Sequence, residues 1–289
     1  MVRKFSENPA LRFFVGDVRD ESRLDFAMRG IDFVFHAAAL KQVVTAEYNP
    51  TEFLHTNIIG AENVAKVAIR NKVKKVMGIS TDKAVKPVNL YGATKACMEK
   101  VFVAANHLAG ADGTRFGVVR YGNVIGSRGS VVSVFKKQKE EGKRITITDP
   151  RMTRFWLRIE DGVKFAWDCA QMMRGGECFV KKLPSMRVTD LAEAMAPGVA
   201  VETIGIRPGE KLHESMVSEE ESFMTYEYDN LYIVQPAVKM WDSDRSIDYQ
   251  RETGRKVAEG FSYASNSNKH FLTVKDLRKL LDSTDVVSE

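Results

Sequence analysis

Val73-Lys74-Lys75-Val76-Met77-Gly78-Ile79-Ser80-Thr81-Asp82-Lys83-Ala84-Val85-Lys86-Pro87-Val88-Asn89-Leu90-Tyr91-Gly92-Ala93-Thr94-Lys95 is the stretch on which the fold turns. It opens with a β-branched and basic run, Val73 to Ile79, that predicts a buried strand ending at Ser80. Pro87 and Asn89 predict a turn, and from Tyr91 onward the residues suit a helix. Tyr91 and Lys95 then stand one turn apart on a single helix face. An ammonium held there favours the phenolate and draws a tyrosine pKa down from about 10. A Tyr-x-x-x-Lys pair is common by chance. This one follows an acid and an amine, Asp82-Lys83, at the carboxyl end of a predicted parallel strand, where open α/β sheets place their chemistry.

Outward from that stretch, strands and helices alternate. Leu11 to Val15 predicts a strand, closed by Gly16-Asp17-Val18-Arg19-Asp20, and a short helix follows around Ser22 to Met28. Ile31 to Ala37 predicts the next strand. Between Thr51 and Arg70, Leu54, Ile58, Ala61, Ala65 and Ala68 recur at four and three residues, the stripe of one buried helix face. Beyond the active-site helix, Tyr91 to Asn106, come a strand at Arg115 to Tyr121 and a helix at Val131 to Glu141. This alternation predicts an α/β fold with a doubly wound parallel sheet over residues 1–144. Past residue 144 the pattern loosens, and 145–289 is expected to form a smaller α/β substrate lobe. It holds a helix near Glu160 to Met173 with a core face (Phe165, Ala166, Cys169), a polar loop at Gly205 to Lys211, a small polar loop at Ser262 to Asn268 and a terminal amphipathic helix at Val274 to Leu281.

With 289 residues the chain can bury a sizeable core, as one large domain or two smaller ones. Apolar residues at 44% and charged residues at 28% are ordinary for a soluble globular protein. A net charge of +5 is mild, and the run Lys136 to Arg144 mixes signs as a solvated helix end does, so nucleic acid is not expected as a partner. Cys97, Cys169 and Cys178 are too few and too scattered for a disulfide framework or a zinc site, and no metal is expected. No apolar run approaches the roughly 18 residues of a membrane span, and no signal-peptide pattern opens the chain. The expectation is a cytoplasmic protein with no membrane partner.

A dinucleotide-binding fold opens with a strand, a Gly-rich turn and a helix whose amino end holds the pyrophosphate. This sequence opens Met1-Val2-Arg3-Lys4-Phe5-Ser6 instead, and Leu11 to Val15 reads as the third strand of the order 3-2-1-4-5-6. The first two strands lie inside such a sheet, so their absence would part strand 3 from strand 4 and leave unpaired edges. The expectation is therefore a Rossmann-like sheet missing its first two strands. Either the chain is a fragment of a longer protein, or something else fills the gap. Gly122-Asn123-Val124-Ile125-Gly126-Ser127-Arg128-Gly129 does not substitute for the missing turn, because it follows a late strand on the substrate side.

Asp82-Lys83 with Tyr91-x-x-x-Lys95 resembles the active-site segment of an extended short-chain dehydrogenase/reductase. Over nearly its whole length the chain is similar to the inverting UDP-N-acetylglucosamine 4,6-dehydratases, which begin pseudaminic acid biosynthesis for flagellin and surface-glycan modification in bacteria. The resemblance implies NADP as cofactor, UDP-N-acetylglucosamine as substrate and a homo-oligomer for the full-length form. It sets Asp17 against the adenine, and Ala37, Ala38 and Ala39 of His36-Ala37-Ala38-Ala39 along the cofactor's diphosphate-ribose. Without the flanking motifs, that alanine run reads as a strand end packed on a helix, and His36 as a buried structural histidine.

The resemblance further implies that Tyr91 takes the sugar 4-hydroxyl proton while hydride leaves C4, and that Lys95 holds the nicotinamide ribose and depresses the tyrosine pKa. Lys83 resembles the base that removes the C5 proton, and Asp82 the acid that protonates the departing C6 hydroxyl. A lysine base must be neutral, and confinement near other positive charges lowers its pKa from about 10.4. A carboxyl acid needs the opposite shift, through burial. Thr81 and Asn123 resemble sugar contacts, and Arg128, Arg154, Arg207 and Glu210 resemble UDP-side residues. Arginine forks suit phosphates, and a carboxylate can accept both ribose hydroxyls.

Other readings stay open. Sugar epimerases carry Tyr-x-x-x-Lys but lack an acid–amine pair directly after the strand, so Asp82-Lys83 favours elimination. Membrane-bound relatives that retain C5 configuration tend to carry methionine where Tyr91 stands. A remnant or non-catalytic nucleotide-sugar binding module would accord with the absent nucleotide loop. A basic nucleic-acid binder would show salt-dependent DNA binding.

Overall fold

The computed structural model of the chain describes residues 8–127, 129–238 and 254–283. Helix α1 (Glu21–Met28) starts at Asp20, whose carboxylate accepts from the Arg23 backbone N–H at 3.0 Å. Strand β1 (Phe33–His36) and the short helix α2 (Val43–Tyr48) follow. A continuous rod, α3, runs through Pro50–Leu54, a π-helical turn at His55–Ile59, and Gly60–Arg70. Next come β2 (Lys75–Ile79), α4 (Leu90–Ala109) and β3 (Arg115–Arg120).

The second half supplies β4 (Asn123–Val124), α5 (Val131–Glu140), β5 (Ile145–Ile147), β6 (Thr153–Leu157) and α6 (Ile159–Met172). It continues with β7 (Cys178–Lys181), β8 (Ser185–Arg187), α7 (Val188–Met195), β9 (Val201–Thr203) and β10 (Ser215–Val217). β11 (Thr225–Glu227), β12 (Leu231–Val234), β13 (Arg255–Lys256), β14 (Tyr263–Ala264) and α8 (Val274–Asp282) complete it.

The main sheet has the order β1-β2-β3-β7-β12-β11-β13. Its first four strands are parallel, and the last three continue antiparallel. Successive residues point to opposite faces. Val76 and Val118 therefore meet α3 and α4 through Val64, Val67, Ala68 and Phe102, whereas Met77 and Val119 meet α6 through Phe165, Ala166 and Cys169. Helices on both faces make this a doubly wound sheet, as the strand–helix alternation predicts. A separate core, built on Phe135, Ile145, Trp156, Leu191 and Leu277, binds α5, α7 and α8 to the small sheets. Residues past 144 also supply β7, β11, β12 and β13 of the main sheet.

One expected strand does not form. Residues 11–16 have no regular structure, and Leu11, Phe13, Phe14 and Val15 are exposed, Val15 at 93%. A strand needs a neighbour to exchange backbone hydrogen bonds with, and the sheet ends at β1 among the described residues. The segment is held instead by Arg23, which donates to the Val15 carbonyl at 2.6 Å and lies over the Phe14 and Phe26 rings.

Candidate active site

The chain leaves β2 at Ser80 and turns at once. Thr81 caps a single 3₁₀ turn, Asp82–Ala84, its side-chain oxygen accepting from the Lys83 N–H. Asn89 caps α4, its Oδ1 accepting from the Gly92 N–H at 2.8 Å. Gly92 has to be glycine: a Cβ there would stand 2.2 Å from the Lys83 carbonyl oxygen. This contact presses the first turn of α4 onto the Asp82–Lys83 turn and brings both halves of the motif to one place.

Asp82 is fully buried. Its Oδ1 accepts from the Thr81 hydroxyl at 2.9 Å and from Lys83 Nζ at 3.0 Å, while Oδ2 has no partner. Glu214, 2% exposed, reaches the same ammonium from the loop before β10: its Oε1 lies 3.5 Å from Lys83 Nζ. Arg154 and Lys211 each come within 3.9 Å of the Glu214 carboxylate, whose Oε2 accepts no hydrogen bond. Burial opposes charge on Lys83, but the pull of Asp82 and Glu214 outweighs it and raises the pKa. The expectation of a lysine lowered by neighbouring cations is therefore reversed. Burial raises the Glu214 pKa against the opposing pull of Lys83.

Tyr91 faces this cluster. Burial raises its pKa, Lys83 is the cation that opposes the rise, and the Asp82 carboxylate adds to it. Lys95, one turn on, is 3% exposed, and burial lowers its pKa to about 8. Among the described residues its ammonium has the Met98 sulfur as hydrogen-bond partner, at 3.6 Å. The cation that acts on the Tyr91 phenol is thus Lys83, where Lys95 was expected.

The remaining sequence-predicted residues spread around this centre. Ala37 and Ala38 are exposed and Ala39 half-buried, forming a bare shelf beyond the carboxyl end of β1. Asn123, at the start of β4, keeps a buried Oδ1 without a partner. Arg154 donates to the carbonyls of Thr153, Lys211 and Leu212, so its guanidinium braces the loop that carries Glu214. The Arg207–Glu210 turn docks on the start of α4, where Asn89 Nδ2 donates to the Gly209 carbonyl at 2.7 Å. Asp17 is exposed and held in the fork of Arg19, which pulls its carboxyl down to about 2. Arg128 lies outside the described residues.

The family model described as "Polysaccharide biosynthesis protein" matches residues 2–236. This chain belongs to that family. Among its similar proteins is the inverting UDP-N-acetylglucosamine 4,6-dehydratase of Campylobacter jejuni subsp. jejuni, 54% identical over 96% of this chain and 84% of the relative. A UDP-glucose 4-epimerase of Rickettsia akari is 41% identical over 98% and 83%. Of solved structures, Pen from Bacillus thuringiensis superposes with a TM-score of 0.87 at 34% identity, covering 99% of this chain and 86% of that one. A dTDP-glucose 4,6-dehydratase of Streptomyces venezuelae superposes with a TM-score of 0.66 at 23% identity, covering 73% of this chain and 72% of that one, so it shares the fold of the parallel sheet.

Three features of the site escape sequence reading. Glu214 lies 131 residues from Lys83 in sequence, and an isolated glutamate in Lys211-Leu212-His213-Glu214 carries no periodic or spacing signal. Behind the site, buried Arg120 donates to both Glu99 and Glu221, at 2.6–2.9 Å, and Ser80 Oγ donates to Glu99 at 2.5 Å. Asn57, inside the π-helical turn, accepts from the Leu40 N–H at 2.8 Å and donates to the Leu40 carbonyl and Thr94 Oγ1, both at 2.9 Å. It ties the Ala37–Ala39 shelf to the active-site helix. A π-turn at such a point is a common mark of a functional site.

The residues fit a nicotinamide nucleotide at its nicotinamide-ribose end. Buried Lys95, among the described residues, gives its ammonium only the Met98 sulfur, and the small side chains of Ala37, Ala38 and Ala39 leave room for close approach past the end of β1. Among the described residues no group of three or more His, Cys, Asp or Glu could hold a metal ion, and no helix is long and apolar enough to cross a membrane.

Proposed function

We propose that this chain dehydrates UDP-N-acetylglucosamine to a UDP-4-keto-6-deoxy-hexosamine with inversion at C5, using NADP, as the first step toward pseudaminic acid for flagellin or surface-glycan modification. The observation that carries this is the convergence of Asp82, Lys83 and Tyr91, two of them 3.0 Å apart, on one buried spot at the end of a parallel strand. The relative named for this reaction, at 54% identity, supports it. The assignment extends to a cytoplasmic homo-oligomer.

In this reading Tyr91 removes the proton from the 4-hydroxyl, and Lys95 with Ala37, Ala38 and Ala39 holds the cofactor. The nicotinamide, when bound, supplies hydride acceptance from C4 and hydride return to C6. The ketone so formed acidifies C5. Lys83, an ammonium at rest, becomes a base by passing one proton to Asp82 across their hydrogen bond. That transfer leaves a neutral amine and a carboxylic acid, the two forms elimination needs. The amine takes the C5 proton, the Asp82 acid protonates the departing 6-hydroxyl, and water leaves. Both residues end in their starting charge states. When hydride would return to C6, a proton enters at C5 from the opposite face; it balances, through solvent, the one Tyr91 took from the 4-hydroxyl and sets the inverted configuration.

Product NMR in deuterated water tests the reading. Solvent deuterium at C5 with loss of the 6-hydroxyl is expected; a C4 epimer carrying no C5 deuterium would replace it with the epimerase reading that the 41% identical Rickettsia relative supports. Lys83→Ala should lower elimination by about 10²-fold or more while NADP binding persists. Equal loss of both would remove Lys83 as the base.

A further inference from the structure

Glu214 has the environment of a working residue without an assigned role. It is a carboxylate, 2% exposed, on a loop far in sequence from the motif, and three cations surround it: Lys83 at 3.5 Å, Arg154 at 3.9 Å and Lys211 at 3.9 Å. Its position is built with care. The Ser265 hydroxyl accepts from the Glu214 N–H at 3.0 Å, the Ser265 N–H donates to the Glu214 carbonyl at 2.8 Å, and Ser265 is itself hydrogen-bonded to Thr153 at 2.7 Å. Arg154 and Lys211 spend their strong donors on backbone carbonyls. Neither therefore closes an ion pair at hydrogen-bond distance, and Glu214 Oε2 stays without a partner. A buried carboxylate with an open oxygen costs stability unless the site uses its charge.

We propose that Glu214 is a positioning residue for Lys83, a fixed carboxylate that holds the amine beside Asp82 and neutralises the ammonium as it forms. This rests on the dehydratase reading above. In that cycle the proton moves from Lys83 to Asp82, and Lys83 is then recharged by the C5 proton. At the moment of recharging, Asp82 is still the protonated acid, so Glu214 is the anion left facing the new ammonium. Asp82, Glu214 and Arg154 act on Lys83, while Asp82, Lys83, Arg154 and Lys211 act on Glu214. Removing Glu214 therefore leaves the amine with Arg154 opposing its charge and Asp82 alone favouring it.

The first test needs no turnover. The Lys83 side chain is titrated by NMR in carbon-13-labelled lysine protein, assigned with Lys83→Arg. In Glu214→Gln its pKa should fall by about one unit or more; an unchanged value overturns the proposal. The second test separates partial reactions. With UDP-N-acetylglucosamine and NADP, Glu214→Gln should lose C5 deuterium exchange roughly 10²-fold, at least ten times more than it loses cofactor reduction at 340 nm. Equal losses in both, or a rise in KM alone, would mean that Glu214 merely braces the loop and would overturn it. Should Glu214→Gln fail to fold, Glu214→Asp carries the same comparison: it keeps the charge, so the Lys83 pKa should stay high while exchange falls. If the parent chain shows no C5 exchange at all, the dehydratase reading fails, and the titration still decides whether Glu214 governs Lys83.

Discussion

The centre of the main sheet and its β1 edge handle unfavourable side chains in opposite ways. At the centre, charged groups are buried and paired: Arg120 between Glu99 and Glu221, Lys83 between Asp82 and Glu214. At the edge, apolar groups stand in water: Phe13, Phe14 and Val15 before α1, and Phe35 on β1 beside the exposed Trp167. Burying a charge is costly, so a protein keeps such groups where position matters more than stability. Apolar surface left in water adds little to folding and presents a surface for association. The centre is thus the region whose geometry is over-determined, and the edge is the region whose contacts are incomplete.

The severest way to break this contrast is Arg120→Met. The guanidinium is 5% exposed and forks onto two carboxylates. Its loss strands Glu99 and Glu221 as unpaired buried charges, at a cost of about 3–5 kcal/mol. Urea unfolding should show a lowered midpoint with little change in slope. Because Glu99 also receives the Ser80 hydroxyl, just ahead of Thr81 and Asp82, the variant should weaken substrate turnover as well. Restoring neutrality with Glu99→Gln and Glu221→Gln should recover part of the stability. A loss below about 1 kcal/mol would mean that the centre is not held by this network.

How far these regions could be read from sequence follows from the range of the forces that shape them. The strand Val73 to Ile79, the helix from Tyr91 and the helix over Thr51 to Arg70 are local patterns, and each appears within three residues of its expected bounds. Of the predicted stripe, Ala61, Ala65 and Ala68 are buried, but Leu54 is exposed and Phe53 takes its place ahead of the π-helical turn. Asp82, Lys83, Tyr91 and Lys95 fall in one segment, so their proximity was legible too. Glu214 and Arg120 were not, because a buried ion pair between segments about 100 residues apart leaves no periodic trace. The direction of the Lys83 pKa failed for a different reason: the adjacent Asp82 folds back to 3.0 Å from the ammonium and pulls hardest, with Glu214 from another loop adding to it. Leu11 to Val15 has strand composition but no strand beside it, and composition alone cannot supply a ladder.

Lys95→Met sharpens the contrast by making the centre more stable and less useful. Burial holds the Lys95 pKa near 8, against 10.5 for the ordinary side chain. Below pH 8 the lysine is charged in both folded and unfolded chains, and the folded form bears the whole cost of burying that charge. Between pH 8 and 10.5 the unfolded chain binds the extra proton, so stability rises with pH across that window. The neutral methionine should therefore stabilise the protein at pH 7, by up to about 3 kcal/mol, and the gain should shrink steadily toward pH 10. Cofactor affinity should fall in the same variant, as expected where a site retains a destabilising group for its function. Titration with NADP beside urea melts at pH 7 and pH 9.5 measures both. A variant that is less stable at pH 7 would show that Lys95 is held by favourable contacts rather than tolerated.

The smallest effect is expected at the edge. Phe13→Ser with Val15→Thr removes apolar surface from two side chains that are 46% and 93% exposed, so the unfolding free energy should move by no more than about 0.5 kcal/mol. Phe14 and Phe26 are left in place, since their rings meet edge to face under Arg23 and contribute to the docking of α1. What should change is association: light scattering at rising protein concentration should be lower in the double variant, because an exposed apolar strip next to an open strand edge invites pairing between copies. Equal scattering with a clear loss of stability would invert the comparison. It would mean that residues 11–15 pack against the fold in solution and that the edge, too, is a completed part of the structure.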